Sequence, residues 1–93
     1  MIVGILTVNL HIPESNSLKS KRMAIKSLID RIKNKFNVSV AEVDAQDLWQ
    51  RSVIAIAFVS NETVMVNKVF EKIRGIIDQN HSVELIDSHM EML

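Results

Sequence analysis

The clearest guide to the fold is the stretch VSVAEVDAQDLWQRSVIAIAFV, residues 38–59. Val38–Gln46 alternates between apolar and polar residues, and Ser52–Val59 is a strongly β-branched run, so both segments are predicted strands. The intervening Asp47–Arg51 predicts a tight reversal of the chain. The stretch is therefore interpreted as an antiparallel hairpin in the middle of the sequence.

One strand and one helix flank this hairpin on each side. Met1–Ile12 alternates as a strand does, and the apolar residues of Ile25–Phe36 recur at helical offsets of 3, 4, 7 and 11. After the hairpin, Ser60-Asn61-Glu62 predicts a helix start with Glu62 as an acid in the first turn. Ser82–Met92 is the last predicted strand.

The order strand-helix-strand, reversal, strand-helix-strand describes two βαβ units joined by a hairpin. Right-handed crossovers leave room for one inner strand in each unit, which predicts the spatial order 4-1-3-2. The expected architecture is an α+β, ferredoxin-like βαββαβ sandwich with a four-stranded antiparallel sheet and both helices on one face. Residues 1–93 form a single domain, because so short a chain does not build two cores.

Composition excludes several classes of function. The chain has no cysteine, which removes disulfides, thiolate metal sites and cysteine nucleophiles. Its two glycines stand apart, so nucleotide-binding loops that need glycine clusters are excluded, and no triad or zinc motif is present. Without a membrane-length apolar run, we expect a cytoplasmic protein without membrane contact, metal or cofactor, and more probably a binding protein than an enzyme.

Charge is distributed very unevenly along a chain whose formal net charge is zero. Seven of its eleven basic residues lie in the first predicted helix, between Lys19 and Lys35, where Asp30 is the sole acid. Three of them, Lys19, Lys21 and Arg22, stand at the helix start, where the helix dipole disfavours cations. Together with Lys26, they are interpreted as an anion or RNA-phosphate site. The alternative is a merely solvated basic face.

The hairpin holds two further groups of candidate residues. Trp49, the only tryptophan, and Arg51 form either an exposed contact element or, for the tryptophan, a plug at the end of the core. Glu42 and Asp44 share a parity, so a regular strand places both carboxylates on one face. Such a pair suits acid/base chemistry or a small ligand, with His11 as a third group. The alternative is that both are charges protecting an edge strand from aggregation.

The run Val53–Val59 is apolar on both parities, whereas an antiparallel strand covered on one face normally alternates. We expect the face of the sheet opposite the helices to be covered as well, by a second copy in a homodimer. The alternatives are that small alanines tolerate exposure, or that the face binds a different protein.

Four blocks of the chain together resemble the bacterial YlxP-like family, which is of unknown function. They are His11 at the end of strand 1, Ser17-Leu18-Lys19-Ser20-Lys21-Arg22, Phe36–Glu42 and Gln46-Asp47-Leu48-Trp49-Gln50-Arg51. The resemblance spans nearly the whole chain. It implies a ferredoxin-like cytoplasmic protein, often encoded beside transcription-elongation and translation-initiation factors and ribosome-binding factor A. Asp44-Ala45 departs from the polar or glycine-containing pair expected before the last block.

These observations lead to one hypothesis and two alternatives. The leading hypothesis is a non-enzymatic protein that binds ribosomal RNA or ribosomal particles, with phosphates held by Lys19, Lys21, Arg22 and Lys26 and a secondary contact from Trp49 and Arg51. The first alternative is a small dimeric enzyme or anion binder that uses Glu42 and Asp44. The second is a protein-interaction module that uses the outer face of the sheet.

Overall fold

The computed structural model describes all 93 residues as four strands and two helices. In chain order they are β1 (Ile2–His11), α1 (Leu18–Lys35), β2 (Ser39–Asp44), β3 (Arg51–Ser60), α2 (Thr63–Asp78) and β4 (Glu84–Met92). The strands form one antiparallel sheet in the order β2-β3-β1-β4. This confirms the predicted ferredoxin-like βαββαβ arrangement and its strand order.

The core lies between one face of the sheet and the two helices. In the central pair of strands, Leu6 stands opposite Ile56 and Val8 opposite Ile54, and all four side chains are fully buried. Helix α2 covers this face with a buried stripe that includes Phe70, while α1 packs on the side nearer β2. Neither helix is long and apolar enough to cross a membrane.

The second helix starts later than its sequence indicates. Glu62 is the residue that precedes the first turn, and its side chain makes no capping hydrogen bond. Its backbone N–H donates instead to Ser60 Oγ at 3.1 Å. The prediction of an acid inside the first turn of α2 is therefore wrong, because Ser60 turns the chain before the helix begins.

The outer face of the sheet has an apolar area on β1, β2 and β3. Ile5 of β1 stands opposite Ala57 of β3, and Ala55 stands opposite both Thr7 of β1 and Ala41 of β2. A shallow apolar hollow of about 270 Å³ lies over these small residues. The outer side of β4 is charged instead, with Asp87 and Glu91 exposed. The homodimer through this face stays a prediction.

Gly4 lets β1 approach α2 closely. A Cβ atom built there would overlap Val66 Cγ1 and lie 3.0 Å from Phe70 Cε2. Because Val66 is β-branched and held in a helix, it has little rotamer freedom to move aside. We expect Gly4→Ala to lower the free energy of unfolding by about 1–3 kcal/mol, the usual cost of overpacking a core, as measured by urea denaturation.

Gly75 supplies the matched control for this substitution. It lies inside α2, and a Cβ added there meets nothing within 4 Å. Gly75→Ala should therefore stabilise the protein by about 0.5–1 kcal/mol, the helix preference of alanine over glycine. Equal effects of the two substitutions would contradict the close approach of β1 and α2.

Candidate nucleic-acid interface

Lys21 is entirely buried, and its ammonium group is surrounded by oxygen atoms. Nζ donates to Glu42 Oε2 and to the carbonyl of Ala45, both at 2.9 Å, to the carbonyl of Gln46 at 3.0 Å and to that of Arg51 at 3.3 Å. An ammonium has three protons for these four acceptors, so the longest contact shares a donor. We refer to Lys21 and its four acceptors as the lysine cage.

The lysine cage corrects the prediction that Lys21 holds a phosphate. With no exposed surface and all its protons engaged by the protein, this side chain is not accessible to an external anion. Its position on the helix explains why it is buried. Lys21, Ile25, Leu28 and Ile32 are the buried residues of α1, and they share one stripe at offsets of 4, 7 and 11. Lys21 occupies the first position of that apolar stripe.

The proposed acidic pair is separated by a β-bulge. Glu42 stands opposite the buried Ile54, whereas Asp44 stands opposite Val53 on the outer face, because the register of β2 shifts between them. The expectation that both carboxylates share a face is therefore wrong: the bulge takes up one residue and reverses the side-chain alternation.

The three acidic-site candidates also have separate partners. Glu42 Oε2 accepts a 2.6 Å hydrogen bond from Ser52 Oγ besides its bond from Lys21, and Asp44 Oδ1 accepts from the N–H of Ala45 at 2.7 Å. His11 Nδ1 lies 3.6 Å from Glu84 Oε2 on the other side of β1. The arrangement does not gather these groups around one ligand.

The β2–β3 turn is held against the rest of the chain from two sides. On one side the lysine cage binds its carbonyl groups. On the other, Gln50 Nε2 donates to the carbonyls of Pro13 and Ser15 at 3.2 and 3.1 Å, and the N–H of Ile12 donates to the carbonyl of Gln50 at 2.9 Å. Ala45 has a φ of 57°, a left-handed conformation that disfavours a side chain. Its carbonyl is an acceptor of Lys21, so the cage helps to hold this turn.

The tip of the turn is exposed although its base is fixed. Leu48 and Trp49 are 53% and 55% exposed, and Arg51 is exposed at the start of β3. Trp49 is thus a surface residue rather than a plug at the end of the core. Through the lysine cage, the turn lies against the first turns of α1, where Lys19 and Arg22 are exposed. The structure therefore brings the two groups of candidate residues to one end of the molecule.

Four exposed cations follow one side of α1, namely Lys19, Arg22, Lys26 and Lys33, and we refer to them as the cationic ridge. At 100° per residue they fall within about 60° of one another, and at 1.5 Å per residue they span about 21 Å. One carboxylate interrupts the ridge: Asp30 Oδ2 lies 3.2 Å from Lys26 Nζ. Lys19 and Arg22 make no ion pair with any carboxylate within 4.0 Å, so both are available to a ligand.

The role of Lys21 has a signal in the sequence that an apolar count passes over. Lys21 falls in register with the apolar residues of its helix, and Glu42 shares the inward parity of Val40, which packs against the core. One cation and one anion at inward positions of neighbouring elements indicate a buried ion pair. The three carbonyl acceptors have no comparable signal, because they depend on the path of the turn.

Substitution of Lys21 by methionine tests the lysine cage. Lys21→Met fills similar space but leaves the Glu42 carboxylate and three turn carbonyls without their donor. Breaking a buried ion pair in this way typically costs about 3–5 kcal/mol. We expect a loss of that size in the free energy of unfolding, measured by urea denaturation.

Two further variants make the measurement specific. Lys19→Met removes an exposed cation two residues away and should change stability by no more than about 0.5 kcal/mol. Lys21→Met/Glu42→Leu removes the stranded carboxylate and should recover part of the loss, since the carbonyls still lack a donor. A loss below about 1 kcal/mol for Lys21→Met alone would contradict the cage.

Comparisons with known proteins agree with this fold and leave the activity open. A de novo designed protein, Foldit4, superposes with a TM-score of 0.54 and 16% identity over all of this chain and 97% of its own. LarC2, the C-terminal domain of a cyclometallase involved in synthesis of the NPN cofactor of lactate racemase, superposes in its apo form with a TM-score of 0.51 and 7% identity. That match covers all of this chain and 55% of LarC2. Identities this low show a shared fold alone.

Sequence comparison identifies the family. The uncharacterized protein YlxP of Bacillus subtilis (strain 168) is 36% identical over 83 residues, which are 89% of this chain and 90% of that protein. The model of the family described as "Protein of unknown function (DUF503)" matches residues 3–90. These matches confirm the resemblance to YlxP-like proteins, and the chain belongs to the DUF503 family.

Proposed function

We propose that this protein is a non-enzymatic RNA-binding factor whose cationic ridge contacts the phosphates of ribosomal RNA. The observation that carries the proposal is the row of four exposed cations on one side of α1, with Asp30 as its only acid. At 3.4 Å per stacked nucleotide, the ridge is as long as roughly six nucleotides. Lys19 and Arg22 are its first contacts, because nothing in the protein pairs with them.

The separation of charge within the molecule supports a polyanion as the ligand. Helix α1 packs against β2 and α2, while the exposed acids Glu84, Asp87 and Glu91 lie on β4 at the far edge of the sheet. A polyanion approaching α1 therefore meets cations before it meets carboxylates. Such a field raises the rate of association and orients the ligand, although the net charge of the chain is zero.

The test compares two double variants with equal changes in charge. Lys19→Ala/Arg22→Ala removes two cations from the ridge and leaves the buried Lys21 in place. Lys68→Ala/Lys72→Ala removes two exposed cations from α2, where alanine also suits a helix. Binding to ribosomal RNA is measured by filter retention over a series of salt concentrations.

We expect the ridge variant to bind more weakly and with a smaller dependence on salt. Each lost phosphate contact on a single strand lowers the slope of log K against log salt by about 0.7, so two lost contacts lower it by about 1.4. The α2 variant should keep the slope of the natural chain. Equal losses in the two variants, or no retention of ribosomal RNA by the natural chain, would refute the proposal.

A further inference from the structure

We infer that the ligand of this surface is single-stranded RNA, and that Trp49 stacks on an unpaired base while Lys19 and Arg22 hold the neighbouring phosphates. This inference rests on the proposed function and narrows it to one form of RNA. It follows from three features of the β2–β3 turn: its place beside the helix start, the exposure of its tip and the rigidity of its base.

The first feature is position. Lys21 Nζ binds the carbonyls of Ala45 and Gln46 at 2.9 and 3.0 Å, so the turn touches the helix within one residue of Arg22 and two of Lys19. A strand whose phosphates lie on those two cations has its bases within reach of the tip of the turn. No element of the fold lies between them in sequence or is needed to bring them together.

The second feature is the exposure of a large aromatic side chain on a short turn. Trp49 is 55% exposed, next to Leu48 at 53%, which leaves the indole available to a partner. Aromatic rings that are half exposed beside cations are the usual platforms for bases of single-stranded nucleic acid. In duplex RNA the bases are stacked and the major groove is too deep and narrow for side chains, so an indole finds no free base there.

The third feature is the rigid base of the turn. The lysine cage and the two Gln50 hydrogen bonds hold the backbone on either side of Trp49, so little backbone order has to be gained on binding. A contact residue held in place before binding loses less conformational entropy in the complex. Asp47 is exposed two residues before Trp49 and repels phosphate, which directs the backbone of the strand toward α1 rather than across the turn.

Trp49 is the only tryptophan of a chain without tyrosine, so its fluorescence reports directly on this contact. The protein is titrated with a single-stranded RNA oligonucleotide and, separately, with the duplex of the same sequence. We expect the single strand to quench the fluorescence to a saturating level and the duplex to leave it nearly unchanged. Quenching should follow the same binding curve as filter retention.

Affinities of three variants complete the test. Trp49→Ala should weaken binding of the single strand about 5- to 150-fold, the range for loss of one base–aromatic stack, with duplex binding unchanged. Trp49→Phe keeps an aromatic face and should retain most of the affinity. Leu48→Ala, the control at the adjacent exposed position, should bind as the natural chain does.

The outcomes separate this inference from the proposed function. If the Lys19→Ala/Arg22→Ala variant loses affinity while Trp49→Ala does not, or if single strand and duplex bind and quench alike, the stacking contact is refuted and the phosphate surface stands. If the natural chain binds neither RNA, both are refuted. Preference for the single strand that disappears in Trp49→Ala and persists in Leu48→Ala supports the inference.

Discussion

The hydrogen bonds of the buried Lys21 ammonium are the constraint on which the arrangement of this molecule depends. A buried charge is tolerated only when its partners replace the lost water. Here one carboxylate and three backbone carbonyls do so at 2.9–3.3 Å. The acceptors come from the end of β2, from the turn and from the start of β3, so one side chain of α1 ties the helix to the whole hairpin. Strand β2 has six residues and pairs on one side only, which makes this additional tie important.

The lysine cage also changes how the charge of α1 is understood. Three cations at the start of a helix oppose its dipole, and no acid in the first turn offsets them. Ser17 caps the helix by accepting from the N–H of Ser20, and Lys21 is directed into the interior toward its own acceptors. Lys19 and Arg22 have no such structural role within the protein. The cations that remain without an internal explanation are therefore those that face solvent beside the turn.

Structure and proposed function meet in the β2–β3 turn. Ala45 in a left-handed conformation and a bulge after Glu42 give the chain a path that an ordinary two-residue hairpin would not take. That path points carbonyls at Lys21 and leaves Trp49 on the surface. A functional surface built on a fixed turn beside a rigid helix is a common way to place contact residues accurately. The same hydrogen bonds thus stabilise the fold and position the tryptophan.

The sequence alone predicts the architecture well because alternation and helical periodicity report directly on which residues face the core. It predicts the strand order as well, since the handedness of βαβ crossovers leaves few alternatives. It fails at Asp44, because a bulge reverses side-chain alternation without changing residue types. It fails at Lys21 for a different reason: a search for apolar periodicity overlooks a cation in register with the stripe. Exposure of Trp49 depends on the path of the turn, which only the three-dimensional structure determines.

The central claim is that Lys21 is a buried ammonium bound by the carbonyls of the hairpin turn. Nitrogen-15 NMR of the lysine side chains tests it most directly, because protons on an exposed ammonium exchange quickly with water. We predict one protected ammonium signal, which Lys21→Met removes, with correlations through hydrogen bonds to the carbonyl carbons of Ala45 and Gln46. A spectrum in which the Lys21 ammonium exchanges as fast as those of the exposed lysines would contradict the account.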